Sequence, residues 1–215
     1  MKYTENMLEA LRLEMKKRLS EKRFNHTLGV EKMAAVIGEK CLPDEVDTLR
    51  AAALLHDISK EYSEAEHFGL LEMHNLSMDS EEIDAKPLWH SVTAPLAVMR
   101  EFPEYADERI LSSVRNHTVG SPDMSVFDEI ILLADYIEEG RTYENCVRLR
   151  EDFLRELSDC KNQEESVLAL HKAVVLSLEN NINEFVSRGQ SFHSKTKLTR
   201  DAILQIIERK SNGSN

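Results

Sequence analysis

The sequence AAALLHDI, residues 51–58, decides how this chain folds. His56 and Asp57 interrupt a run whose other members are all apolar and typical of a protein core. A buried imidazole and a buried carboxylate both need a partner, and a metal cation is a partner that both accept. The stretch IILLADYI, residues 130–137, repeats the pattern with Asp135 as its one charged residue. The two stretches therefore predict buried helices that carry metal-binding side chains.

The composition is that of an ordinary globular protein, with 215 residues, 41% of them hydrophobic and 31% charged. No apolar stretch reaches the roughly 20 residues of a membrane span, and the N-terminal residues are too acidic for a secretory signal. We therefore expect a cytoplasmic protein without a membrane partner. The net charge of -12 argues against nucleic acid as a partner. Three widely spaced cysteines are predicted to be free thiols, namely Cys41, Cys146 and Cys160.

The spacing of apolar residues predicts an all-α protein, because they recur every three or four positions and only 7 glycines and 5 prolines intervene. Ser63 with Glu66 and Ser125 with Asp128 are typical of helix N-termini. Helices are predicted over 4–20, 23–40, 44–58, 64–74, 80–85, 90–101, 105–118, 126–138, 142–158, 164–187 and 198–210. We expect a single domain, made of an N-terminal helical extension (1–19), a metal core (20–145), completing C-terminal helices (146–210) and a flexible tail (211–215).

Three further histidines are candidates for the same metal site. His26 shares a helix face with Val30, His117 shares one with Val114, and His90 stands where a helix begins. A single inward histidine is more often an ordinary core residue than a ligand, but six nitrogen and oxygen donors without sulfur suit two octahedral ions. The six candidates are His26, His56, Asp57, His90, His117 and Asp135. Histidines without such a pattern are expected at the surface, namely His67, His74 and His171.

These residues, with their neighbours, resemble the HD-domain phosphohydrolases, and among them most the YqeK-type symmetrical diadenosine tetraphosphatases. The resemblance covers about residues 20–205. It is carried by His26, HDISK (56–60), WH (89–90), RNHT (115–118) and ADYIE (134–138). It implies a helical HD fold, two metal ions and hydrolysis of diadenosine tetraphosphate (Ap4A) to two ADP. Iron is the metal expected most, with manganese, cobalt, nickel or zinc as alternatives.

The resemblance also implies residue roles. It gives the same six metal ligands, with Asp57 bridging the ions, and a reaction in which a metal-bridging hydroxide attacks phosphorus. Asp57 and Lys60 are the implied catalytic residues. The implied substrate contacts are His26, His90, His117, Thr118, Asp135, Arg141, Ser191, Phe192, His193, Ser194, Lys195 and Thr196.

Two departures from the family pattern bear on nucleotide specificity. Ser194 stands where the family usually has proline, and Glu139-Gly140 replaces a common Pro-x before Arg141. Two alternatives therefore stay open: an HD-domain nucleotidase or nucleoside triphosphatase of different specificity, and a non-catalytic helical module that senses nucleotide or metal. The expected partner is a small nucleotide, and a homodimer is left open.

Overall fold

The fold is a bundle of α-helices, seen in a computed structural model that describes residues 2–213. Within this range there are eleven α-helices and no strand. They are α1 (Glu5–Arg18), α2 (Glu21–Cys41), α3 (Val46–Leu55), α4 (Glu64–Met73), α5 (Ser80–Asp84), α6 (Trp89–Glu101), α7 (Glu108–Asn116), α8 (Val126–Ile137), α9 (Glu144–Asp159), α10 (Gln163–Ser187) and α11 (Ser194–Gly213). The predicted all-α class is confirmed. Short 3-10 turns at Pro43–Glu45, Lys86–Leu88 and Pro103–Tyr105 each carry proline near their start.

The predicted capping signals are also confirmed. Ser63 and Glu66 form a reciprocal capping box at the start of α4, and Ser125 and Asp128 form another at the start of α8. Each pair satisfies two backbone N–H groups that the first helical turn leaves without a partner. These two helices accordingly begin within a residue of their predicted positions.

Several helix ends differ from the prediction. The helix predicted over 44–58 ends at Leu55, because His56 Nδ1 contacts the Ala53 carbonyl oxygen at 2.7 Å. That oxygen would accept the backbone N–H of Asp57 if the helix continued. The last helix begins at 194 instead of 198, and it extends to 213, into the range predicted as a tail. Residues 214 and 215 of that tail lie outside the described residues.

The core is organised around α8, which packs against α2, α7 and α10. Helix α3 packs against α2 and α7, while α9 and α11 cover α10. Residues 51–55 are 0% exposed, as are Ile130, Ile131, Leu133 and Ala134 of α8. Small alanine side chains allow neighbouring helices to approach α3 closely. Both stretches predicted to be core are therefore core, and their polar residues lie inside the bundle.

Two histidines predicted at the surface are instead buried. His67 contacts Thr93 through Nδ1 at 2.8 Å, and His171 lies 2.8 Å from a carboxylate oxygen of Glu129. Each has a polar partner on another helix, which compensates for the loss of hydration. The surface prediction was wrong for these two because a single sequence does not reveal partners on distant helices.

The three cysteines are free thiols, as predicted. Among residues 2–213, none of the helices is both long enough and apolar enough to cross a membrane.

Candidate metal centre

The six predicted metal ligands converge at one place inside the bundle, although they come from five parts of the chain. His26 lies on α2 and Asp135 on α8, His90 begins α6, and His56, Asp57 and His117 directly follow α3 and α7. Two groups of three have ligand atoms that all lie within 4.8 Å of one another, and both groups contain Asp57. The groups are His26, His56 and Asp57, and Asp57, His90 and His117.

Asp57 lies between the two groups and turns one carboxylate oxygen towards each. Its Oδ1 is 3.2 Å from His90 Nε2 and 3.8 Å from His117 Nε2. Its Oδ2 is 3.3 Å from His56 Nε2 and 3.7 Å from His26 Nε2. This geometry is what a carboxylate needs if it is to bridge two neighbouring cations.

His56 and His117 are held in the same way by the ends of their helices. His56 Nδ1 lies 2.7 Å from the carbonyl oxygen of Ala53, and His117 Nδ1 lies 2.8 Å from that of Val114. In each case the ring donates to the carbonyl three residues earlier, so the proton is on Nδ1. The Nε2 atom of each ring therefore presents a lone pair to the centre of the site, as a metal ligand must.

His26 is oriented by a buried carboxylate that directly follows the neighbouring helix α8. Its Nδ1 lies 3.1 Å from Glu138 Oε1, and Glu138 is 3% exposed. Glycines enclose this carboxylate, since a Cβ added to Gly29 would lie 2.3 Å from Glu138 Oε2, and one added to Gly140 would lie 2.9 Å from it. A carboxylate that fixes the outer nitrogen of a histidine leaves the inner nitrogen free for a metal.

The residues present fit a metal centre. His26 Nε2 and His56 Nε2 are buried and make no hydrogen bond within the described residues. His26 Nε2 lies 2.9 Å from Asp135 Oδ1 without the alignment of a hydrogen bond. Buried polar atoms are normally paired, so two buried nitrogens that lie beside carboxylates and make no hydrogen bond fit a site that holds a cation. Imidazole and carboxylate donors suit iron, manganese, cobalt, nickel and zinc.

Three cationic side chains surround the centre, in a chain whose net charge is -12. Arg23 donates to Asp57 Oδ2 at 2.7 Å, and Arg141 donates to an oxygen of Asp135 at 2.7 Å. Lys60 Nζ lies 3.2 Å from the ring nitrogens of a predicted ligand, His90. These cations offset the carboxylates of Asp57, Asp135 and Glu138, which reduces the repulsion that a phosphate-bearing ligand would meet.

The pKa values of the buried site residues are shifted both by burial and by the charged groups around them. Burial alone would raise the pKa of Asp57, but the surrounding histidines hold it well below its ordinary value. Burial lowers the pKa of His90 well below its usual range, which keeps the ring neutral. Burial also opposes protonation of His26, yet the carboxylates of Asp135 and Glu138 raise its pKa to about 9. A cation at the centre would have to displace that proton.

Two clefts adjoin the centre and meet at Thr118 and Asn181. The C-terminal cleft has a volume of about 770 Å³ and is lined by residues that include Thr118, Phe185, Phe192, His193 and Thr196. The asparagine cleft has a volume of about 700 Å³ and is lined by residues that include Thr118, Asp135, Arg141, Tyr143, Asn180 and Asn183.

Most of the substrate contacts predicted at 191–196 face the C-terminal cleft, but not all of them. Ser191, Phe192, His193 and Thr196 line the cleft. Ser194 instead donates to Glu81 at 2.6 Å, and Lys195 reaches a carboxylate oxygen of Glu82 at 3.3 Å. These two side chains therefore fasten the start of α11 to α5.

Arg23, Glu138 and Arg150 were not among the site residues predicted from the sequence. Arg150 donates to the carbonyl oxygens of Ile137, Glu138 and Arg141, and so fixes the loop that carries Arg141. Arg23 precedes His26 by three residues and therefore shares its helix face, which is the one local signal available. The other roles depend on which helices pack together.

Comparison with known proteins defines the class. Residues 23–140 match the HD domain, and this chain belongs to the HD-domain family. The symmetrical bis(5'-nucleosyl)-tetraphosphatase of Bacillus subtilis is 30% identical over 186 residues, which cover 86% of this chain and 91% of the relative. The enzyme of the same name from Halalkalibacterium halodurans is 29% identical over 93% and 97% of the two chains.

The fold is also that of a solved structure. A Clostridium acetobutylicum crystal structure, described as a predicted HD superfamily hydrolase involved in NAD metabolism, superposes with a TM-score of 0.78. It is 25% identical and covers 92% of this chain and 96% of its own. The single-domain HD fold and the family resemblance predicted from the sequence are confirmed.

Proposed function

We propose that this protein is a metal-dependent phosphohydrolase that cleaves Ap4A symmetrically into two ADP. The observation that carries the proposal is the position of Asp57, whose two oxygens face two separate histidine pairs. Relatives that span most of this chain carry the name symmetrical bis(5'-nucleosyl)-tetraphosphatase. The proposed ligands are the six residues predicted from the sequence, with iron as the metal expected first.

The chain's own residues have distinct tasks in this proposal. His26 and His56 would hold one cation, His90 and His117 the other, with Asp57 shared and Asp135 beside His26. When bound, two such ions supply a water acidic enough to act near neutral pH, and they neutralise phosphate charge. Orientation of the histidines by backbone carbonyls and by Glu138 means that the ligands need little rearrangement.

The surrounding cations would bind the phosphates that are not attacked. Arg141, Lys60 and Arg23 border the centre, and Thr118 stands where the two clefts meet. A guanidinium makes paired hydrogen bonds with phosphate oxygens, so Arg141 and Arg23 suit a polyphosphate chain. The C-terminal cleft, with Phe185 and Phe192, offers aromatic surface to one nucleoside. No protein nucleophile is required in this scheme.

Metal analysis combined with product analysis tests the proposal. Protein purified without oxygen is expected to contain two metal equivalents per chain and to yield ADP as the sole product from Ap4A. Asp57→Ala is expected to lose metal and turnover together, because it removes a ligand shared by both ions. Asp44→Ala is a matched control, since it removes an aspartate that lies in the turn before α3 and outside the cluster.

Other outcomes would decide between the alternatives. A product mixture of AMP and ATP, or faster hydrolysis of ordinary nucleotides, would favour an HD-domain nucleotidase of different specificity. Absence of hydrolysis by protein loaded with iron, manganese or cobalt would favour a sensing module. An Asp57→Ala protein that keeps full metal and normal turnover would contradict the ligand assignment. Cytoplasmic location is part of the proposal, and cell fractionation tests it. Sedimentation would decide whether the protein is a monomer or a homodimer.

A further inference from the structure

The asparagine cleft has the features of a second nucleoside site. It opens from the metal centre, because Asp135 and Arg141 form part of its wall. It also shares Thr118 and Asn181 with the C-terminal cleft, so the two clefts diverge from one place. A dinucleoside polyphosphate has this shape, with a charged middle and two bases that point away from it.

Tyr143 is an exposed aromatic residue at the rim of this cleft. It is 71% exposed, it precedes α9 directly, and it stands two residues after Arg141. Its ring stacks on no other aromatic ring, and its hydroxyl makes no hydrogen bond, within residues 2–213. A large exposed ring beside a phosphate-binding guanidinium is well suited to stack on a nucleobase.

The facing wall is a polar stripe on α10. Asn180, Asn183, Glu184 and Ser187 all line the cleft, and their spacing places them on one helix face. Glu184 pairs with Arg188 at 2.6 Å, whereas the exposed carboxamide of Asn183 has no hydrogen-bond partner within the described residues. A carboxamide offers one donor and one acceptor, which matches the amino group and ring nitrogen of adenine.

We infer that the asparagine cleft binds the adenine of one ADP half of the substrate, with Tyr143 stacking on the base and Asn183 hydrogen-bonding its edge. The inference rests on the proposed function, because it assigns the second half of the same substrate.

Steady-state kinetics with Ap4A test the role of Tyr143. Tyr143→Ala is expected to raise KM roughly tenfold, which is the usual effect of removing an aromatic side chain on which one base stacks. The kcat is expected to change less than about twofold, because contacts far from the reacting phosphates bind ground state and transition state alike. Tyr143→Phe should behave as wild type, since the hydroxyl has no partner. Leu13→Ala, which truncates a side chain that is 56% exposed on α1, is the control.

Calorimetry with ADP gives a second measurement that does not require turnover. Manganese-loaded wild type is expected to bind two ADP per chain, and Tyr143→Ala is expected to bind one of the two about tenfold more weakly. Asn183→Ala should weaken binding of the same ADP molecule and leave binding of the other ADP molecule unchanged. If wild type fails to cleave Ap4A, the proposed function is wrong, while the ADP stoichiometry still decides the inference. A wild type that binds only one ADP, or a Tyr143→Ala protein with wild-type KM and unchanged affinity for both ADP molecules, would overturn the inference alone.

Discussion

Replacing Glu138 by glutamine should weaken metal binding although Glu138 touches no metal in the proposed site. The carboxylate is 3% exposed and accepts hydrogen bonds from His26 Nδ1 and from the backbone N–H of Gly140. Glutamine has the same shape but only one acceptor oxygen. Because Gly29 and Gly140 enclose the group, the amide cannot swing away, and its NH2 must face one of the two donors.

The expected loss of metal affinity follows from the free-energy cost of burying two hydrogen-bond donors that face each other. An unsatisfied buried donor costs about 1–3 kcal/mol, which corresponds to roughly 5- to 150-fold in a binding constant. Loss of an outer partner of a metal-binding histidine typically costs about 10- to 100-fold in metal affinity. We therefore expect Glu138→Gln to lower affinity about 30-fold, with the overall fold intact.

Chelator competition on the purified protein measures this change directly. Glu139→Gln is the matched control, because Glu139 is 64% exposed, pairs with Lys32, and does not contact His26. The control should keep wild-type affinity and wild-type melting temperature. A Glu138→Gln protein whose metal affinity lies within twofold of wild type would refute the proposed coupling between Glu138 and the metal centre.

Two further predictions concern buried titratable groups. The pKa of His26 is raised to about 9, above the roughly 6.5 of an unfolded histidine. The bound proton therefore stabilises the metal-free protein fully below pH 6.5, and this stabilisation is lost as the pH rises through 9. Metal affinity should therefore rise between pH 6.5 and 9 in chelator competition, and a flat profile would contradict the assignment of His26 as a ligand. His171→Leu leaves the buried carboxylate of Glu129 without its partner and should lower the free energy of unfolding in urea by about 3 kcal/mol. A second change, Glu129→Leu, should recover much of that loss, and a double variant as unstable as the single one would argue against the pair.

The helices and the ligand set were predictable because their signals are local. His56, Asp57 and Asp135 stand out as polar residues within apolar runs, and the runs are indeed buried. The order of the six ligands along the chain, together with the residues next to them in sequence, indicated the family. Local patterns also placed most helix ends, since capping side chains lie within one turn of the residues they cap.

Partners on other helices were not predictable from a single sequence. The role of Glu138 depends on Gly29, which lies on α2 and has no side chain to fill the space. The burial of His171 depends on Glu129 of α8 in the same way. Only packing of α2 and α10 against α8 brings these groups together, and hydrophobic periodicity does not encode which charged residues will meet.

The departures from the family pattern before Arg141 become understandable in the structure. Lys32 Nζ lies 2.8 Å from one oxygen of Glu139 and 2.9 Å from the other, so the extra negative charge is paired on the α2 side. The backbone N–H of Arg141 donates to the Glu138 carbonyl at 2.9 Å, which closes a four-residue turn with Glu139 in its second position. Proline is favoured at that position, but other residues also adopt the turn. Gly140 leaves room for the Glu138 carboxylate, because a Cβ there would lie 2.9 Å from it. The turn thus positions Arg141 without proline, so this departure from the family pattern leaves the backbone of the arginine in place.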